Sequence, residues 1–212
     1  MEGTDSLLQL TLDELLSTTR AVRRRLDLTR PVERELLEEC LALAQQAPTA
    51  GFAQNWHFVV ITDPELRAGL GELWRRSGER YLAHRPPRGS AVADRIVASV
   101  RHLIDHIHEV PVHLVPCVAG RTDGRPAWQQ AGRWASVIPA TWSFMLAARA
   151  RGLGTAWTTF HLAYERDAAD LLGIPYDEVM QAALIPVAHT IGTDFRPGAR
   201  RPLETMVHWD RW

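Results

Sequence analysis

The alternation of hydrophobic and polar positions changes period several times along the chain, and the changes mark its elements. Residues 11–19, TLDELLSTT, carry a short helical period, with Asp13 and Glu14 placed early, where negative charge suits a helix N-terminus. Residues 31–48 read as an amphipathic helix that Pro31 opens and Pro48 closes, with Leu36, Leu37, Cys40, Leu41 and Ala44 on one face. WHFVVITD, residues 56–63, is an aromatic and β-branched run, expected as a buried strand. Asp63 and Pro64 then open a helix that runs to residue 82, and HRPPRGS, residues 84–90, breaks it. Residues 90–109 form a further amphipathic helix, stopped by Pro111, and VHLVPCVAG, residues 112–120, is a second strand. Residues 120–132 read as a loop. Residues 133–152 are apolar nearly all round, as in a helix buried in a core or a subunit interface; Pro139 is expected to interrupt it and Gly152 to end it. LGTAWTTF, residues 153–160, is a third strand, residues 165–174 a short helix, and residues 178–190 carry a fourth strand. The tail from Gly192 has no regular period but is rich in arginine and aromatic residues, which suits a segment that wraps another surface. This order predicts a helix-rich α/β or α+β domain with one central sheet, spanning residues 1–212 without repeat or linker.

Composition narrows the chemistry. A net charge of −1 gives no whole-chain attraction to nucleic acid or anionic lipid. All 24 basic residues are arginine. Lysine Schiff bases and a Walker-type lysine are therefore excluded, and a phosphate would be held by arginine, backbone N–H groups or helix N-termini. The two cysteines, Cys40 and Cys117, sit far apart in apolar runs, which fits buried thiols better than a disulfide framework or a zinc site. The first ten residues lack the basic and apolar regions of a secretory signal, and no apolar run reaches membrane-spanning length, so a cytoplasmic location is expected.

Three polar constellations compete. His102, His106 and His108 put two histidines at i, i+4, but the residue after the first is Leu103 where a zinc protease has glutamate, so a polar helix face is the better reading and no metal is expected. Ser136 and Ser143 lie inside an apolar helix without a G-x-S-x-G turn, and GLGTAW lacks the third glycine of a dinucleotide fingerprint. TTRAVRRRLD, residues 18–27, concentrates Arg20, Arg23, Arg24 and Arg25. A solvated cluster that pairs with glutamates is one reading. The other draws in APTAGFAQNWHF, where Pro48, Thr49, Ala50 and Gly51 let backbone approach a flat ligand, and FRPGARRPLE in the tail. Three separated segments of this character suggest one nucleotide-like cofactor.

In this order the motifs resemble the FMN-dependent nitroreductase family from about residue 12 to the C-terminus. TTRAVRRRLD is similar to the family's R-x-S-x-R/K element, APTAGFAQNWHF to its APS/T-x-x-N-x-Q-x-W-x-F stretch, and GLGTAW to the end of its interface helix. LGIPYDEV, LIPVAHT and RRPLETMVHW follow in register, and the closing HWDRW resembles one branch of NAD(P)H nitroreductases.

The resemblance implies an α+β fold with a central mixed or antiparallel sheet flanked by helices, and an intertwined homodimer with FMN at its interface. It implies ping-pong chemistry in which NAD(P)H reduces the flavin and the flavin reduces a nitroaromatic, a quinone or a similar planar acceptor. No side chain is then a catalytic acid or base, because the flavin carries the chemistry. By position, Arg20, Ala21, Arg23 and Arg200 match the phosphate-holding groups. Pro48, Thr49, Ala50 and Gln54 match the segment along the ring, and Trp157, Thr158 and Thr159 the backbone near the flavin N5. Phe52 and Trp134 fall toward the substrate pocket, with residues 134–143 contributed by the other subunit. Ala21 stands where the family has serine and Phe52 where it has asparagine, and Thr19 where many members have arginine. A flavin dehydrogenase that desaturates a biosynthetic intermediate, or a flavin-poor ligand-binding relative, are the alternatives.

Overall fold

The computed structural model describes residues 7–84 and 89–212. Residues 1–6 of the N-terminal segment and residues 85–88 of the breaker lie outside the described residues. Five strands form one sheet, β1 Trp56–Ile61, β2 Val112–Ala119, β3 Leu153–Thr155, β4 Val179–Gln181 and β5 Ile185–His189. The path runs β1-β2-β5-β3, with β4 also on β2, and every pairing is antiparallel.

β2 organises the packing. Its side chains alternate between two faces, and it is buried on both. Val115 and Cys117 enter one apolar cluster with Leu70 and Trp74 of α3 (Pro64–Ala83) and Val100, Leu103 and Ile104 of α4 (Ala91–His106). Val112 and Leu114 enter the other, with Leu37 and Cys40 of α2 (Arg34–Ala44) and Phe144 and Met145 of α5 (Ala127–Ala150). Helices thus cover both faces of the sheet. Both cysteines are free and buried, and burial pushes the Cys40 thiol up to about 11 and that of Cys117 to about 12.

Local capping follows the sequence. In α1 (Leu12–Thr18) Thr11 and Glu14 close a capping box, Asp63 accepts from two backbone N–H groups at the start of α3, and Ser90 accepts from Ala93 N–H in α4. Gly173 adopts φ 67 and ends α6 (Glu165–Leu172) in the left-handed region that glycine enters freely.

Five expectations change. α5 starts at Ala127, so the polar stretch around Gln129 and Gln130 is helix surface and not loop. α5 also continues through Pro139; the donor is missing at the carbonyl of Ala135, which is exposed and open to water. The third strand ends at Thr155, and beyond it only Thr158 bridges to Leu184. The fourth strand is two, because between β4 and β5 the three residues 182–184 stand opposite only Val115 and Pro116 of β2, which interrupts the ladder. α2 is shorter than Pro31 and Pro48 suggested.

Candidate functional site

The arginine cluster is laid onto the sheet by its apolar partners. Val22 and Leu26 are buried, and Val22 N–H donates to Thr155 O at 2.8 Å while Asp27 N–H donates to His189 O at 2.8 Å. Gly154 permits this contact, since a Cβ there would stand 2.7 Å from Thr190 and 3.0 Å from Leu26 and Val22. The glycine of GLGTAW therefore seats the basic segment.

With Val22 and Leu26 turned inward, Arg20, Ala21, Arg23, Arg24 and Arg25 line a cleft of about 390 Å³. Ser99 of α4 and Asp194, Phe195 and Arg196 of the tail complete it. Arg25 is the ordinary member: it pairs with Asp194 at 2.7 Å and stacks on Phe195 at 4.3 Å. Arg20 donates to Arg196 O at 2.9 Å and Arg23 to Ser99 Oγ at 3.3 Å. Among the described residues no carboxylate lies within ion-pair distance of Arg20, Arg23 or Arg24. Arg23 is half-buried, and desolvation pulls its guanidinium below the usual value. Arg149 adds to the positive character from behind. It is buried against Phe195, with Nε and Nη1 lacking a partner.

Arg23 also lines a second, smaller cleft of about 120 Å³ with Trp74, Val100 and residues 157–160. Two of the expected groups therefore meet here: the basic element and the Trp157, Thr158 and Thr159 stretch share Arg23 as a common wall. The Thr158 hydroxyl faces inward, accepting from Trp74 Nε1–H at 2.8 Å and donating to Leu184 O at 2.7 Å. Its role is to fix the local backbone.

The remaining expected residues lie elsewhere. Thr49 and Ala50 enter a short 3-10 turn ahead of β1, and Ala50 lines a separate cleft of about 620 Å³ with Ser136 of α5. Pro48 precedes that turn, and Gln54 follows it at φ 44. Phe52 is 83% exposed at φ 57, which marks the turn as strained. Trp134 packs against Trp56 and Val118 in a minor core cluster. Arg200 is exposed and its Nη1 bonds its own chain at Ala199 O. Arg196, four residues earlier, is the tail arginine that lines the basic cleft. Ser99, Val100, Trp74 and Phe195 were not singled out from sequence. Only Trp74, a large aromatic residue on the apolar face of its helix with Leu70, left a signal.

The histidine cluster stays outside both clefts. His102 and His106 stack at 4.4 Å on the outer side of α4, and His106 Nδ1 is bonded to His102 O.

The family model described as the Nitroreductase family matches residues 16–189. The chain belongs to the nitroreductase family. As a member it is a flavin-dependent oxidoreductase. It is 31% identical over 154 residues to the 5,6-dimethylbenzimidazole synthase of Rhodospirillum rubrum, covering 70% of this chain and 68% of that protein. The nitroreductase fold is shared with a crystallised iodotyrosine deiodinase bound to FMN and 3-iodo-L-tyrosine, at TM-score 0.73 and 22% identity, covering 95% of this chain and all of that one (100%). It is shared also with the FMN- and NADPH-dependent nitroreductase NfnB from sphigopyxis sp. strain HMH, at TM-score 0.68 and 22% identity, covering 96% of this chain and 100% of that one.

Proposed function

We propose that this nitroreductase-family protein, one domain over residues 1–212, binds FMN with its phosphate in the basic cleft and its ring in the adjoining cleft, and uses it to reduce a planar acceptor. The observation that carries the reading is the pair Arg20 and Arg23, two guanidiniums without a carboxylate partner beside a cleft, one of them desolvated. A buried cation without a counter-ion is costly, and a phosphate dianion offsets that cost through charge-assisted hydrogen bonds. The clefts' common wall at Arg23 suits a ligand with an anion at one end and a flat ring at the other.

FMN, held by Arg20 and Arg23, would supply the redox chemistry that links NAD(P)H to a nitroaromatic, a quinone or a similar acceptor in a ping-pong cycle. The chain's own residues bind and orient. Arg20 and Arg23 hold the phosphate, residues 157–159 present backbone to the ring, and Val100 and Phe160 exclude water beside it.

The site is completed in this reading by a second copy of the chain. Ala50, in the turn that follows Pro48 and Thr49 and precedes Gln54, lines a different cleft from Arg20 and Arg23, so one chain supplies only part of the site. α5 presents Ala131, Ala135, Ile138 and Trp142 as an exposed stripe at helical spacing, and Leu12 and Leu16 of α1 are exposed as well. The chain exposes 12807 Å², where a compact monomer of this mass exposes about 9,900 Å². Among the described residues no helix is long and apolar enough to cross a membrane, and a cytoplasmic location is part of the same proposal.

The test is direct. Purified protein is expected to be yellow, to release FMN on denaturation, and to bleach with NADH or NADPH under anaerobic conditions. Colourless protein that cannot be reconstituted with FMN overturns the reading. Loaded protein that no pyridine nucleotide bleaches points instead to an oxygen-coupled dehydrogenase.

A further inference from the structure

The third cleft, of about 620 Å³, is used by the proposed function only through Ala50 on its wall. Its chemistry is specific. Arg125 and Arg133 both line it, together with Trp128 and Asn55. Arg125 bonds Arg121 O at 2.9 Å and the Gln129 side chain at 3.5 Å, and Arg133 bonds Ala119 O at 2.6 Å. Neither meets a carboxylate among the described residues. The nearby acids are occupied, since Arg121 takes Asp123 at 2.5 Å and Glu165 at 2.8 Å. Trp128 is 74% exposed, a large flat ring at the first turn of α5. The Asn55 amide oxygen is buried without a donor.

From these residues we infer that this cleft binds the anionic, aromatic end of a flavin reactant. Two guanidiniums without counter-ions recognise an anion, and the exposed indole supplies a stacking surface. The cleft volume suits a small-molecule site. Ala50 joins the cleft to the turn proposed to lie along the flavin ring, so a reactant held by Trp128 and Arg125 extends its other end toward the flavin. This inference rests on the FMN reading. The anion has two sources, a carboxylate on the electron acceptor or the 2′-phosphate of NADPH, and both use the same guanidinium chemistry.

Equilibrium titrations of the purified protein separate these cases, with 4-nitrobenzoate against nitrobenzene on the oxidised protein, and NADPH against NADH on protein already reduced anaerobically, so that no hydride moves. The anionic member of at least one pair is expected to bind roughly tenfold more tightly, and Arg125→Gln to remove the difference. Arg125 is an exposed side chain, so its replacement spares the fold. Trp128→Ala is expected to weaken both members of the preferred pair. A preference for 4-nitrobenzoate assigns the anion to the acceptor, and one for NADPH assigns it to the donor. Equal binding within both pairs, or a preference unchanged in Arg125→Gln, overturns the inference. Flavin content read from the absorbance of the same samples reports separately on the FMN reading, because the titrations need no turnover.

Discussion

Trp74 of α3 donates its indole N–H to the hydroxyl of Thr158 at 2.8 Å, 84 residues away in sequence. Trp74 is 1% exposed, so the bond is shielded from water, and the same hydroxyl donates onward to Leu184 O. Helix α3, the loop at residues 157–159 and the segment that leads into β5 are joined through one oxygen. Thr158→Val keeps the shape and leaves the indole N–H unpartnered, which is expected to cost about 1–3 kcal/mol of stability. Thr158→Ser is expected to stay near wild type. Denaturant unfolding of both variants checks this, and equal losses would remove the hydroxyl from the account.

Arg23 and Arg25 are expected to respond in opposite ways. Arg23→Gln removes a desolvated, unpaired cation, so the apoprotein is expected to become more stable while FMN binding weakens on the order of tenfold or more. Arg25→Gln breaks an ion pair with Asp194 at the surface and is expected to change FMN affinity little. Ala21→Ser adds a hydroxyl in the same cleft and is expected to tighten FMN binding severalfold. Thermal melts of apoprotein and fluorescence titration with FMN give both readouts.

His113 and His161 set the acid limb of stability. Both are fully buried, and burial lowers His113 to about 4 and His161 to about 3. Their folded values lie below the unfolded value near 6.5, so the unfolded chain binds more protons between those limits. Stability is therefore full above about pH 6.5 and falls as pH drops toward 4, by up to about 1.4 kcal/mol per pH unit for each histidine. His161→Gln is expected to flatten this slope. Urea unfolding across pH 4–7 measures it, and an unchanged slope in the variant would assign the acid limb to other groups.

Ile138 is 44% exposed in the middle of the α5 stripe. Ile138→Arg is expected to leave the monomer folded, to shift sedimentation from dimer to monomer, and to lower FMN affinity in parallel. Loss of dimer with unchanged FMN affinity would show that one chain holds the cofactor alone.

Much of the fold is legible along the chain because it is local. Asp63 and Pro64, Ser90, Thr11 with Glu14, and Gly173 each set a helix end through contacts within a few residues. The arginine cluster is visible along the chain in the same way. Misreadings came where local and tertiary preferences differ. Gln129 and Gln130 looked like loop because they are polar, yet they ride on the surface of α5. Pro139 looked like a break, yet the packed neighbours Val137 and Ala140 keep α5 continuous across it.

The sequence by itself determined the capped helix starts at Thr11, Asp63 and Ser90, the absence of lysine chemistry and the ordered motifs of the nitroreductase family. Tertiary structure decided which arginines are available. Arg25 is neutralised by Asp194, Arg23 is left desolvated beside Ser99, and Arg196 lines the cleft where Arg200 was expected. Helix ends depend on neighbours three or four residues away, which a sequence displays. The state of a charge depends on the groups that surround it in space, and here those come from residues about 75 and 170 positions distant along the chain.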